Sequence, residues 1–309
     1  MRRFGALLAA GLLAGTLAAC GGPATQEMES AQAFAMDTVM GLQATGGETA
    51  EALAAAEDEI YRLDEELSRT REDSAVSQLN RAEAGTSVEV GAELYDLIAR
   101  ALAFSQATDG AFDITLAPVS SAWGFTEDAY RVPAQEELAG LLAHVGAEHV
   151  HLDGASAVSL DQGTQIDLGA IAKGYAVEQV CRAAPDGLLL SVGGNVRATG
   201  PKPGGENWVV GIQAPDGESG AFLHTLYVRD VSVVTSGDYQ RYYTVDGVRY
   251  HHLIDPETLY PAAHMHAVTI LHPDSALGDF LSTTAFLLPY EESRALIESI
   301  PGAEAMWTL

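Results

Sequence analysis

Apolar residues recur in this sequence at two different periods, and the order in which those periods appear restricts the chain to a mixed fold. Leu53, Ala56, Ile60, Leu63 and Leu67 return at helical spacing, with acidic residues on the opposite face. A second amphipathic helix is expected from Ala92 to Ala107, carried by Leu94, Leu97, Ile98, Ala101 and Leu102 and stopped at Asp109-Gly110. Further helices are expected over Ala134–Leu142, over Asp274–Leu288 with Asp274 or Ser275 as cap, and over Glu291–Ile300. The segments Phe34–Ala44, Val150–Leu160, Gly187–Val192, Trp208–Ile212, Leu223–Val234 and Ala267–Leu271 read as strands. Helices and strands do not alternate regularly, so the expected fold class is α+β, or mixed α/β, and not a Rossmann fold. No repeat, low-complexity linker or Pro/Gly-rich break divides the chain after residue 30, which favours one domain.

Charge narrows the function. The 309 residues hold 16 Lys+Arg against 43 Asp+Glu, a net charge of −27 that repels phosphate backbones and excludes nucleic-acid binding as a primary role. A hydrophobic content of 47% is enough to bury a core. The chain has only two lysines, Lys173 and Lys202. Its first residues carry a basic start at Arg2-Arg3, then an uncharged apolar run from Ala6 to Ala19 that is too short for a membrane span and the right size for a signal-peptide core. Leu17-Ala18-Ala19-Cys20 matches a bacterial lipobox. Residues 1–19 are therefore expected to be a signal peptide and 20–33 a lipidated N-terminus and tether, with the folded domain spanning 34–309. The expected location is extracytoplasmic, with Cys20 anchored by lipid to the bacterial cell membrane. Loss of 1–19 leaves 14 basic residues against 43 acids, a charge of −29. With Cys20 lipidated only Cys181 remains, which rules out an intrachain disulfide and reads as a small buried hydrophobe.

Five segments carry polar or glycine patterns that core packing does not require. Asp279, Ser282 and Thr283 lie three and four apart on the expected helix, so their oxygens can converge on one side while Leu277, Phe280, Leu281 and Ala285 cover the other. Such hard oxygens suit Mg²⁺, although a carboxylate followed by hydroxyls is also a common cap. Ile166 to Tyr175 passes from a strand through Gly169 into a helix, whose free N–H groups and Lys173 could hold a pyrophosphate, with Asp167 as an acceptor. Gly110 to Pro118, followed by Ala122-Trp123-Gly124-Phe125, sets Asp113 and large aromatics after a helix. His251-His252 precedes an X-Pro turn at Asp255-Pro256, and with His264 and His266 raises a zinc alternative that lacks a clear fourth ligand. Ser191 to Arg197 holds a Gly-Gly turn that lets backbone approach a ligand but lacks a dinucleotide fingerprint.

Taken in order, these segments resemble one family. Met36-Asp37-Thr38, Leu67-Ser68 to Asp73-Ser74 with Leu79-Asn80, GAFDITLAP (110–118), AWGF (122–125), DLGAIAKGYA (167–176), SVGGNVRATG (191–200), VTSGDYQRYY (234–243), HLIDP (252–256) and DFLSTTAF (279–286) are similar to the FAD:protein FMN transferases, the ApbE-like flavin-trafficking lipoproteins. The resemblance covers about residues 34 to 290 and implies a single ApbE-like, T-fold-related domain. It implies FAD contacts from Met36, Thr70, Ala111, Phe112, Asp113, Asp167, Lys173 and Ile254. It also implies one or two Mg²⁺ held by the Ala170 carbonyl, Asp279, Ser282 and Thr283. The implied reaction takes FAD as substrate and moves its FMN half onto a Thr or Ser hydroxyl of a partner, releasing AMP. Candidate bases for that hydroxyl are His252 and Asp255. Implied partners are flavoproteins with a Ser/Thr-Gly-Ala-Thr type motif, such as Nqr- or Rnf-like subunits or an exported reductase. Alternatives are a Mg²⁺-dependent FAD pyrophosphatase yielding FMN and AMP, and a non-catalytic flavin-binding lipoprotein. The chain departs from the family where Asp37 and Leu259 stand at positions commonly Gly, and where Thr70 stands at a position often Tyr or Asn.

Overall fold

The computed structural model describes residues 28–309 apart from 127–128, 185, 203, 216 and 218–219. The expected signal peptide and Cys20 lie outside the described residues. In chain order the elements are β1 (Met28–Ala35), β2 (Thr38–Thr45), α1 (Thr49–Leu67), α2 (Ala75–Arg81), β3 (Val88–Glu89), α3 (Ala92–Ala107), α4 (Ala117–Ala122), α5 (Gln135–Leu141), β4 (Val150–Asp153) and β5 (Ala157–Leu160). There follow α6 (Ala172–Ala183), β6 (Leu188–Val192), β7 (Asn195–Thr199), β8 (Trp208–Gln213), β9 (Phe222–Val228), β10 (Val231–Gly237), β11 (Tyr242–Val245), β12 (Val248–His251), β13 (Ala267–His272), α7 (Ser275–Leu287), α8 (Tyr290–Ser299) and β14 (Glu304–Thr308).

Seven strands form the main sheet in the order β1-β2-β6-β7-β10-β13-β14. Every neighbouring pair is antiparallel, which excludes a doubly wound parallel sheet and bears out the α+β expectation. On one face, Leu53, Ala56 and Ile60 of α1 and Val177 and Val180 of α6 pack on Met40, Leu42, Leu188 and Leu190. Trp208, Val210 and Val228 of the β8–β9 hairpin join Ala198 and Val233 in a separate cluster. Among the described residues no helix is long and apolar enough to cross a membrane.

Three expected strands are each two. Val150–Leu160 is β4 and β5, which pair antiparallel across a turn that holds Gly154 at φ +70°. Phe34–Ala44 breaks at Met36-Asp37, where φ is +50° and +57° and Ala35 pairs with Thr38, a tight two-residue hairpin turn. The sequence hid it because neither residue is a glycine. Leu223–Val234 breaks at Arg229-Asp230, with Asp230 at φ +50° and its carboxylate accepting from Gly200 N. The hairpin also moves the domain boundary: Met28 to Ala33 are already paired with β2, so residues 28–33 belong to the sheet and not to a tether. Burial pushes the Cys181 thiol up to about 12, in keeping with the inert apolar role expected of it.

The expected polar and apolar sides of α7 are both covered, with twelve of its thirteen residues buried. Leu281, Ala285 and Phe286 join Val268 and Ile270 of β13 and Ile297 of α8. The polar side turns to β10 and α6, and it meets α6 at a glycine: a Cβ on Gly174 would lie 2.5 Å from Asp279 Cβ and 2.5 Å from the Ser275 carbonyl oxygen. The contacting atoms are backbone and a helix-borne Cβ, so neither can swing aside. A Gly174→Ala variant gains about 1 kcal/mol in helix propensity but loses roughly 1–3 kcal/mol or more to overpacking, and the second term should win. Urea unfolding is expected to show a net loss of stability; an unchanged or raised midpoint would contradict this packing.

Candidate functional site

The α6–α7 contact places a carboxylate where a helix begins. Asp279 is 4% exposed, and its Oδ2 accepts from Gly174 N at 2.8 Å. Asp279 thus caps the first turn of α6 rather than its own helix, whose cap is Asp274 accepting from Leu277 N. Because Gly174 N–H turns to Asp279, it does not close on the Ala170 carbonyl four residues back, and that oxygen is left without a helical partner. Burial raises the Asp279 pKa, while nearby Lys173 and hydrogen bonds from Gly174 N and the Asn195 side chain lower it.

Hydroxyls follow this carboxylate along α7 and meet one from β10. Ser282 Oγ donates to the Asp279 carbonyl at 3.2 Å and lies 2.9 Å from Ser236 Oγ of β10, which is 3.5 Å from Thr283 Oγ1. Ser282 is therefore largely committed to the packing of α7 on β10. Asp279 and Thr283 keep more capacity for a ligand. Ser236 is a hydroxyl the sequence reading missed, because only strand–helix packing brings it here. Asp279, Thr283, Ser236 and the Ala170 carbonyl offer only oxygens, a donor chemistry that suits a hard cation such as Mg²⁺ and not zinc. The zinc alternative fails in detail: His251 Nε2 bonds the Ala262 carbonyl at 2.8 Å and His266 Nδ1 pairs with Asp238 at 2.9 Å. Among the described residues no group of three or more His, Cys, Asp or Glu side chains could hold a metal ion.

Lys173 Nζ donates to the Gly169 carbonyl at 2.8 Å, and its charge acts on both Asp279 and His252. That shared neighbour ties the start of α6 to the HLIDP segment. His252 Nδ1 lies 3.2 Å from the Arg241 carbonyl, which only accepts, so Nδ1 carries the proton and Nε2 keeps its lone pair. Burial, Lys173 and Arg241 push the His252 pKa down to about 3. Asp255 is differently employed: its Oδ1 accepts from Glu257 N at 2.8 Å within its own turn. Leu259, also in that turn, sits at φ +59°, which accounts for the glycine common there, just as φ +57° does at Asp37. Its side chain is instead buried with Trp123, Phe125 and Ile254.

The remaining expected contacts fall on a second group of loops. Asp167 N donates to the Ile114 carbonyl at 2.7 Å, joining the DLGA turn to the GAFD loop. Asp113 Oδ1 accepts from the backbone and hydroxyl of Thr115, and burial raises its pKa. Phe112 is 1% exposed and stacks edge-on against Phe104 and Phe280, so its side chain is core and only its backbone can meet a ligand. Ala111 is half-exposed beside it. Ile254 is likewise buried and bridges to Pro261. Met36 N is held by Asp64 Oδ1 at 2.8 Å, and Met36 packs against the same core as Phe112 and Ala170. Thr70 is exposed and bonds Ser68 Oγ.

Arg69, its neighbour, was not expected at all. Its Nε pairs with Asp167 Oδ2 at 2.8 Å, Nη1 reaches the Ala117 carbonyl and Ser121 Oγ, and Nη2 donates to Thr126 Oγ1. One guanidinium fork thereby joins the loop of Thr70, the DLGA turn and α4. The only signal in the sequence was a cation among acids.

The His252 environment has a measurable sign. A ring that stays neutral in the folded state while its unfolded counterpart protonates below about 6.5 costs stability as pH falls from about 6.5 toward 3. His251, also shifted down by burial, adds loss of the same sign. His252→Gln should flatten the acid loss by up to about 1.4 kcal/mol per pH unit in urea unfolding between pH 6.5 and 4. Equal slopes for both proteins would contradict this environment.

Comparison with known proteins identifies the family. The family model for the ApbE family matches residues 36–307. The FAD:protein FMN transferase of Treponema pallidum (strain Nichols) is 35% identical over 93% of this chain and 86% of its own length. That of Klebsiella pneumoniae (strain 342) is 32% identical over 80% and 79%. The ApbE protein of Thermotoga maritima superposes with a TM-score of 0.85 at 35% identity, covering 91% of this chain and 94% of that one. The apo flavinyl transferase ApbE of Pseudomonas stutzeri gives 0.79 at 31% identity, covering 91% of each. A shared fold, a model match over almost all of the described chain and relatives above 30% identity along most of both lengths establish that this chain belongs to the ApbE family.

Proposed function

We propose that this chain is a flavin transferase that moves the FMN half of FAD onto a Ser or Thr hydroxyl of an acceptor protein and releases AMP, with Mg²⁺ bound. One observation carries the reading beyond family membership: a buried carboxylate, Asp279, accepts from the start of α6 on the hydroxyl-bearing side of α7, within range of the charge of Lys173. A chain with a net charge of −27 can hold an anionic dinucleotide only where its field is locally reversed, which Lys173 and a bound cation would do here.

Asp279, Thr283 and the Ala170 carbonyl would hold the cation, with Ser282 and Ser236 closing the site from beneath. When bound, Mg²⁺ supplies charge neutralisation for the pyrophosphate and its AMP leaving group. Lys173 adds a second positive charge at the same place. Asp167, fixed by Arg69, and the backbone of Ala111-Phe112-Asp113 line the loops that orient the flavin half, together with Met36, Thr70 and Ile254. The acceptor hydroxyl attacks the FMN phosphorus, the P–O bond to AMP breaks, and the hydroxyl proton passes to His252 Nε2. His252 suits this role better than Asp255, because its free nitrogen is unprotonated at neutral pH while the Asp255 carboxylate is occupied by its turn. The negative charge of the dinucleotide offsets Lys173 and Arg241 and so raises the basicity of His252 when substrate is present. The lipobox at Cys20 supports placing this activity outside the cytoplasm on a lipid anchor, where acceptors of the Ser/Thr-Gly-Ala-Thr type would be membrane or exported flavoproteins.

The test is incubation with FAD, Mg²⁺ and an acceptor peptide, followed by flavin fluorescence on a denaturing gel and assay of AMP. Covalent fluorescence with AMP is expected. AMP without it would favour the pyrophosphatase alternative, and neither would leave a flavin binder. Asp279→Ala should abolish transfer, and Thr283→Val should lower it at least 10-fold, with circular dichroism unchanged. Undiminished transfer by a folded Asp279→Ala protein would sink the cation assignment.

A further inference from the structure

SVGGNVRATG is a segment to which the family resemblance assigns no contact, yet its asparagine lies against Asp279. Asn195 opens β7, pairs with Val192 of β6 and Val234 of β10, and is 1% exposed. It stands opposite Val234, which packs against Gly278 of α7 and shares its face of β10 with Ser236, so its side chain is directed at α7, where it acts as a hydrogen-bonding neighbour of the Asp279 carboxylate. An ionised carboxylate only accepts, so the atom facing it is Nδ2, and the amide orientation is fixed by chemistry. Asn195 Oδ1 is then left buried without a hydrogen-bond partner in the protein. A buried carbonyl oxygen with nothing to accept from is costly and rare, and it calls for a partner from outside the chain.

The backbone keeps it in place. Gly193 and Gly194, at φ +49° and +98°, form the turn before Asn195. A Cβ on Gly194 would stand 2.9 Å from the Thr235 carbonyl oxygen, so the turn is pressed onto β10 beside Ser236. The ligands that the family resemblance implies, Asp279, Ser282, Thr283 and Ala170, come from α7 and the approach to α6. Asn195 would bring a strand of the central sheet into the same site.

Resting on the cation reading of that site, we propose that Asn195 is a positioning residue for it, holding the Asp279 carboxylate through Nδ2 and presenting Oδ1 as a further hard oxygen to the cation. Two variants separate this role from mere packing. Asn195→Leu has nearly the same shape but can neither hold Asp279 nor offer an oxygen. Asn195→Asp restores an oxygen while setting a second carboxylate against the first, a repulsion that a divalent cation relieves.

The measurements are Mg²⁺ titration by calorimetry and the Mg²⁺-induced shift in Tm, on the full chain without FAD. Asn195→Leu is expected to bind Mg²⁺ at least 10-fold more weakly than the native protein. Asn195→Asp is expected to have a lowered Tm without Mg²⁺ and to gain more from Mg²⁺ than the native protein does. Native-like Mg²⁺ affinity in Asn195→Leu, or no enlarged Mg²⁺ gain in Asn195→Asp, would overturn the assignment. The Asp variant decides by itself whatever the stability of the Leu variant. Failure of the underlying reading looks different: a native protein that does not bind Mg²⁺, or an Asp279→Asn protein that binds it undiminished, overturns the site and the role of Asn195 together.

Discussion

The rest of the structure depends on one close contact between helices, the seating of Gly174 of α6 against Asp279 of α7. No side chain fits between them, so the Gly174 N–H can reach the carboxylate and the helix start supplies part of what a buried charge needs. The same contact turns Gly174 away from the Ala170 carbonyl, and it fixes Lys173 one residue earlier in reach of both Asp279 and His252. Helix packing and site chemistry are in this respect one arrangement.

Around it the antiparallel sheet acts as a frame. β10 supplies Ser236 beneath α7, and β7 supplies Asn195 beside Asp279. The loops that carry Asp113, Asp167 and Thr70 are joined by hydrogen bonds through Ile114, Thr115 and Arg69 rather than by apolar packing alone. Phe112 links the two halves by packing against Phe280, next to Asp279 in α7. A ligand spanning both halves would meet a carboxylate region that is neutralised at one end and held by a guanidinium at the other.

Much of this was legible in the sequence where the signal was local. Helical periodicity located α1, α3 and α7, and α3 runs from Ala92 to Ala107 as its apolar spacing requires. The spacing of Asp279, Ser282 and Thr283 put three oxygens on one side of α7, although not the fact that this side is buried against α6 and β10. Turns built by Asp37 and Asp230 were invisible because neither carries the glycine that usually marks positive φ. The short helices α2 and α4 have too few residues to show a period. Arg69, Ser236 and Asn195 matter only through partners 98, 46 and 84 residues away, so nothing in their own neighbourhoods could announce them.

The central claim is that Asp279, placed at the start of α6, holds the cation that lets an acidic chain handle an anionic dinucleotide. The most direct test is an anomalous difference map from crystals of this protein soaked in Mn²⁺, a stand-in for Mg²⁺ with the same preference for oxygen. The account predicts a peak within coordination distance of the Asp279 carboxylate and the Ala170 carbonyl. A peak at the histidines around His251 and His266, or no ordered ion near Asp279 in an active protein, would contradict it.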